Sequence, residues 1–102
     1  MNQDEGPDPA EQIADAVRRV PGVVDLHGGM FGEAATYLPG RKVSGIRQTP
    51  DGTEVHVSLL YGQPVRETAN RVRLAVAAVV DGPVHVTVED VIPAPQAAVT
   101  RR

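Results

Sequence analysis

The sequence predicts an α+β fold, a two-layer sandwich in which a three- or four-stranded mixed sheet carries two helices on one face. Three observations lead there. Residues 64–80, PVRETANRVRLAVAAVV, place Val65, Ala69, Val72, Val76 and Val79 on one face of a 3.6-residue period. Residues 53–61 and 84–91 alternate apolar and polar side chains, the pattern of half-buried strands. The helix lies between those two strands, so a crossover connection can set them parallel in one sheet. The predicted order is helix, strand, strand, strand, helix, strand, with the amphipathic elements closing a single core.

Each element has its own signals. Met1 to Pro9, MNQDEGPDP, is acidic, holds two prolines and has no apolar period, which predicts a disordered tail over residues 1–9. Ile13, Ala14, Val17 and Val20 then recur at helical spacing, with Asp8 as the N-cap and Pro9 at the first helical position. Val20-Pro21-Gly22-Val23 predicts a turn and residues 23–26 a short strand. Lys42 to Arg47 reads as a strand with a bulge at Gly45. Thr49-Pro50-Asp51-Gly52 is a hairpin turn, because Pro50 presets φ and Asp51-Gly52 tolerate positive φ. Val55, Val57, Leu59 and Tyr61 are predicted to face the core from the following strand. Pro64 opens the long helix, Glu67 meets its positive end, and Asp81-Gly82-Pro83 ends it. Its last turn, residues 75–80, is apolar nearly all round, which suits burial between layers or a partner contact. Val84, Val86 and Val88 face inward on the last strand, and Pro93 and Pro95 close the domain at residues 10–93, leaving 94–102 as a second tail.

Composition narrows the function. With 102 residues the chain makes one domain, and with 3% aromatics its core rests on Val, Leu, Ile and Ala. A net charge of −3 argues against a general nucleic-acid binder, which needs a basic surplus. The absence of cysteine removes disulfides, thiol catalysis and cysteine-ligated metals. No apolar run approaches the roughly 18 residues of a membrane span and the N-terminus is acidic, so a cytoplasmic protein without direct membrane insertion is expected.

Little in the residues carries catalysis. His56 and His85 fall on the outward face of two strands, with Glu54 and Glu89 nearby; two imidazoles and a carboxylate could bind zinc, but a solvated polar face explains them with fewer assumptions. His27-Gly28-Gly29 lacks the accompanying G-x-S-x-G of a hydrolase. No P-loop and no enforced carboxylate pair occurs, so no catalytic residue, metal ligand or cofactor is expected. Residues 27–40, HGGMFGEAATYLPG, are different: a Gly-rich stretch with no sustained period, in which residues 31–38 could form a short helix or an extended edge. Gly29, Met30, Phe31, Gly32, Tyr37, Leu38 and Arg41 are the candidate partner-binding residues, because large apolar groups there have little period to bury them. The alternative is a lid folded back on the core. A nucleic-acid reading would use Gly29-Met30-Phe31-Gly32 as a GxxG backbone clamp, with Arg66, Arg71 and Arg73 as a basic patch.

The segments VPGVVDLHGGMFGEAATYLPGRKVSGIR, TEVHVSLLYGQPVRETANRVRLAVAAV and VHVTVEDVIP together resemble the actinobacterial branch of the alkaline-shock-protein family, small proteins of the bacterial envelope stress response. The likeness spans residues 10–93 and rests on the order of Val20-Pro21-Gly22-Val23, Tyr37-Leu38-Pro39-Gly40, Tyr61-Gly62, the helix after Pro64, and Val88-Glu89-Asp90-Val91. The resemblance implies a non-enzymatic cytoplasmic protein, peripheral at the inner face of the cell membrane through a membrane-anchored protein partner; a homo-oligomer is a separate expectation, from a core thin enough to give modest stability unless the chain self-associates. It supplies no catalytic residues.

Overall fold

The computed structural model describes residues 8–93. The element order is α1 (Pro9–Arg18), β1 (Val23–Leu26), β2 (Ala35–Leu38), β3 (Arg41–Ser44), β4 (Ile46–Thr49), β5 (Gly52–Leu60), α2 (Val65–Ala77) and β6 (Val84–Ile92). The fold is the expected α+β sandwich. Asp8 caps α1 by accepting the Ala10 N–H at 2.8 Å, and Pro9 begins the helix, so residues 8 and 9 belong to the domain and not to the expected acidic tail. Residues 1–7 and 94–102, the rest of the two expected tails, lie outside the described residues.

β5 is the strand on which the sheet is built. β6 runs parallel to it along one edge, pairing Thr53 with Val84 and Val57 with Val88; the register then slips, Ser58 pairs with Asp90, and Glu89 is the extra residue. The other edge of β5 is shared. β4 pairs antiparallel with its first half, from Thr49↔Gly52 to Ile46↔Val55, and β1 with its second half, from Leu26↔Val57 to Val23↔Leu59. The handover falls at His56, whose N–H donates to the Gly45 carbonyl and whose carbonyl accepts the His27 N–H, each at 2.8 Å.

Both helices cover one face. Ile13, Ala14 and Val17 of α1, Val72 and Val76 of α2, and Ile46, Val55, Val57 and Leu59 of the sheet form one buried cluster. Burying each Val or Leu stabilises by about 1.5–3 kcal/mol relative to exposure, which is how a core nearly free of aromatics holds together. The α2 stripe is shorter than its period suggests. Val65 and Val79 are exposed, and Thr68 is buried with Val72 and Val76. Of residues 75–80, Val76 is buried and Ala75 and Val80 pack on the core, while Ala77 and Ala78 are exposed with Val79, so the last turn is covered on one side only. Pro64 is the cap of α2, not its first helical residue. Tyr61, expected inward, lies past the end of β5 and is 76% exposed.

The stretch between β1 and β4 departs most from expectation. Residues 35–44 form an antiparallel hairpin of their own, β2 against β3, from Ala35↔Ser44 to Leu38↔Arg41, around Pro39-Gly40. The single strand expected over 42–47 is therefore two strands in two sheets, broken at Gly45. Gly45 has φ +85°, and a Cβ there would sit 2.7 Å from Leu26 Cβ and 2.9 Å from the His56 carbonyl oxygen. The chain turns out of the hairpin into the sheet at the one point where no side chain fits.

Candidate interaction surface

The surface is built on the loop 27–34 and the hairpin that follows. The loop is closed by its own hydrogen bonds. Ala34 N–H donates to Gly28 O at 2.9 Å, Gly32 N–H to Gly29 O at 3.2 Å, and Gly29 N–H to Nδ1 of His27 at 2.9 Å. Glu33 completes it from within. Its carboxylate accepts the Phe31 N–H at 3.0 Å and its own N–H, and these bonds hold the Glu33 carboxyl below the usual carboxylate range. Gly29 must be glycine, since it has φ +87° and a Cβ would stand 2.5 Å from the Glu33 carboxylate.

The backbone is thus fixed while the side chains at the tip are not covered. Met30 is 82% exposed and Phe31 88%. Tyr37, on the outward side of β2, is also exposed. Leu38 is half-buried and packs on the core with Val43, at the turn end of the hairpin where it pairs with Arg41, so it does not belong to the free face. Arg41 Nε donates to Glu11 Oε2 of α1 at 2.5 Å, which ties the far end of the hairpin to the helix layer. Neither the short helix nor the lid considered for this stretch is formed: the hairpin is anchored at its turn end, and the Met30–Phe31 tip of the preceding loop is left exposed.

The candidate nucleic-acid residues fall elsewhere. The loop stands beside the β1/β4 edge of β5, whereas α2 packs on β6. Arg71 pairs with Glu67 at 2.6 Å and Arg73 donates to Asn70 Oδ1. Arg66 and Arg73 rim a shallow groove whose floor is Pro64, Val65, Ala69 and Val86. Gly29–Gly32 and the three arginines are therefore two surfaces, and the loop leads into a strand with no helix terminus to receive a phosphate.

The histidines are not equivalent. His56 is only 15% exposed, with Nδ1 2.7 Å from Glu89 Oε2 and Nε2 3.8 Å from Glu54 Oε1, so it is an anchored sheet residue and not a solvated one. His27 Nε2 lies 3.9 Å from Asp90 Oδ2. His85 is exposed on β6, opposite Glu54 in the register. Among the described residues no group of three or more His, Asp or Glu side chains is arranged to hold a metal.

No protein-family model, curated protein or solved structure matches the chain. Among the described residues no helix is long and apolar enough to cross a membrane. The role of Glu33 was missed in the sequence because a glutamate two residues from the amide it caps has no periodic signature. The edge of β6 that no other described strand pairs with was missed because strand order is not written in alternation.

Proposed function

We propose that the chain is a non-enzymatic protein–protein interaction domain whose contact element is the Met30–Phe31 tip, with Tyr37 a further exposed apolar group on β2. The observation that carries this reading is the pairing of a hydrogen-bonded loop backbone with two nearly uncovered apolar side chains. Ordering such a tip costs little on binding, and burying an aromatic anchor is the usual source of hot-spot energy. The resemblance to alkaline shock proteins supports extending the proposal to a role in the envelope stress response, in the cytoplasm at the inner face of the membrane, with an anchored protein as the partner.

The test is a comparison of partners retained from a lysate of the source organism by the wild-type chain and by Phe31→Ser. Phe31 makes no core contact, so the variant folds, and loss of a partner bound by the wild type supports the proposal. An identical set of retained proteins counts against it. A titration with single-stranded RNA at two salt concentrations checks the other use of the molecule: salt-dependent binding lost in Arg66→Ala with Arg73→Ala would replace this reading with a nucleic-acid one.

A further inference from the structure

β6 has a free edge. It pairs with β5 on one side, and no strand among the described residues pairs with it on the other. Which of its backbone groups face outward follows from one hydrogen bond. Thr53 N–H donates to Pro83 O at 2.9 Å, so the carbonyl of residue 83 points to β5. Alternation then turns residues 85 and 87 toward β5 and leaves the N–H and C=O of Val84, Val86 and Val88 directed away from the sheet. The extra residue at Glu89 breaks this alternation, so the open ladder ends there.

The side chains at these positions are also incomplete in their packing. Val84, Val86 and Val88 point to the helix layer and pack against the core, yet all three stay only half-buried while Val55 and Val57 on β5 are fully enclosed. The groove beside α2, floored by Val65, Ala69 and Val86, continues the uncovered apolar surface from the strand to the helix. Edge strands that remain single are usually guarded by lysine, proline or an inward-pointing charge, and residues 84–88, VHVTV, have none.

We propose that this edge is a self-pairing surface, on which a second copy of the chain adds its own β6 antiparallel about a two-fold axis through Val86. That axis sets Val86 against Val86 and Val84 against Val88, so each of the three outward-facing residues meets an outward-facing residue. The inward face becomes valine on valine, and the outer face sets His85 against Thr87 with no like charges opposed. The contact is isologous, as a two-fold interface must be, and it closes the two grooves against each other. A second copy fits because its edge repeats the same Val-x-Val-x-Val at the same spacing and with the same directed groups. The surface lies across β5 from the Met30–Phe31 tip, so it leaves that tip free and goes beyond the partner-binding reading.

The experiment uses the full chain, which has no native cysteine. His85→Cys and Thr87→Cys are made separately, both at exposed positions, and oxidised alone and as an equal mixture. In the proposed register residues 85 and 87 form a non-hydrogen-bonded pair with Cα atoms about 4.5 Å apart, within the disulfide range of about 4.4–6.8 Å. The expected result is a disulfide-linked dimer in the mixture at least about tenfold above either variant alone, about 1.4 kcal/mol of register preference. Wild-type chain should sediment toward twice its 10.8 kDa mass as concentration rises. Phe31→Ser should leave both results unchanged. Monomer mass at all concentrations, equal cross-linking by Thr87→Cys alone, or loss of the dimer in Phe31→Ser would each overturn the proposal; loss in Phe31→Ser would move self-association to the tip.

Discussion

Gly45 lies so close to Leu26 that a Cβ on the glycine would stand 2.7 Å from the Cβ of the leucine. The contact occurs where β4 gives way to β1 along β5, and Gly45 also supplies the carbonyl that accepts the His56 N–H. Gly45→Ala must strain a positive φ and push apart two strands at once. It is expected to lower stability by about 2–3 kcal/mol, read as a fall in the urea midpoint with unchanged slope.

Val72 is wholly enclosed on the central turn of α2, between the sheet and α1. Val72→Asp places a carboxylate without a partner in that space, and the domain should not fold, as shown by loss of cooperative thermal unfolding. Val72→Ala removes two methyl groups only and should cost about 1–3 kcal/mol with the fold intact.

Thr68 is buried one turn earlier, and its hydroxyl makes no hydrogen bond among the described residues. Thr68→Val keeps the shape and removes the uncompensated polar atom. Stability should rise by about 1 kcal/mol, visible as a higher melting temperature, whereas most core substitutions lower it.

The Arg41–Glu11 pair gives the acid limb of the stability curve a defined sign. The hydrogen bond from Arg41 holds the Glu11 carboxyl below its ordinary value, with the guanidinium charge adding to it. A carboxyl lowered on folding adds stability that is present above its unfolded value near 4.5 and is lost as pH falls through the folded value. Glu11→Gln should therefore lower stability slightly above about pH 4.5 and flatten the decline on its acid side by the same small amount, small because Arg41 is exposed and Glu11 only half-buried.

Glu33 orders the tip by the bond to the Phe31 N–H. Glu33→Ala should leave global stability within about 0.5 kcal/mol. The protection of the Phe31 amide from exchange should nonetheless fall, and acid should lower it likewise in the wild-type chain as the carboxylate is protonated, once rates are divided by the intrinsic rate at each pH.

The parts of the fold that were legible are those fixed by local chemistry. Asp8-Pro9 marks the start of α1, the alternation from Val55 to Leu59 and from Val84 to Val88 marks both long strands, and the helix between them implies their parallel pairing. The hairpin around Pro39-Gly40 was legible in principle, since ATYL and RKVS flank a strong turn pair, but four-residue strands give too few alternations to separate from coil. Gly45 looked like a bulge because a glycine within a strand marks either a bulge or a corner, and only the approach of Leu26 decides between them. At the candidate surface the exposure of Met30, Phe31 and Tyr37 was legible as apolar residues without a period. The inward turn of Leu38 was not, because it depends on the neighbouring Val43 and on α1 across the hairpin.

The sharing of β5 by three neighbours has a kinetic consequence. Only the β4–β5 contact is short-range, closed by the turn at Pro50-Asp51; β1 and β6 reach β5 from more than twenty residues away on either side. Assembly should therefore nucleate at that hairpin, and mutations there should slow refolding, whereas mutations in β6 should mainly hasten unfolding.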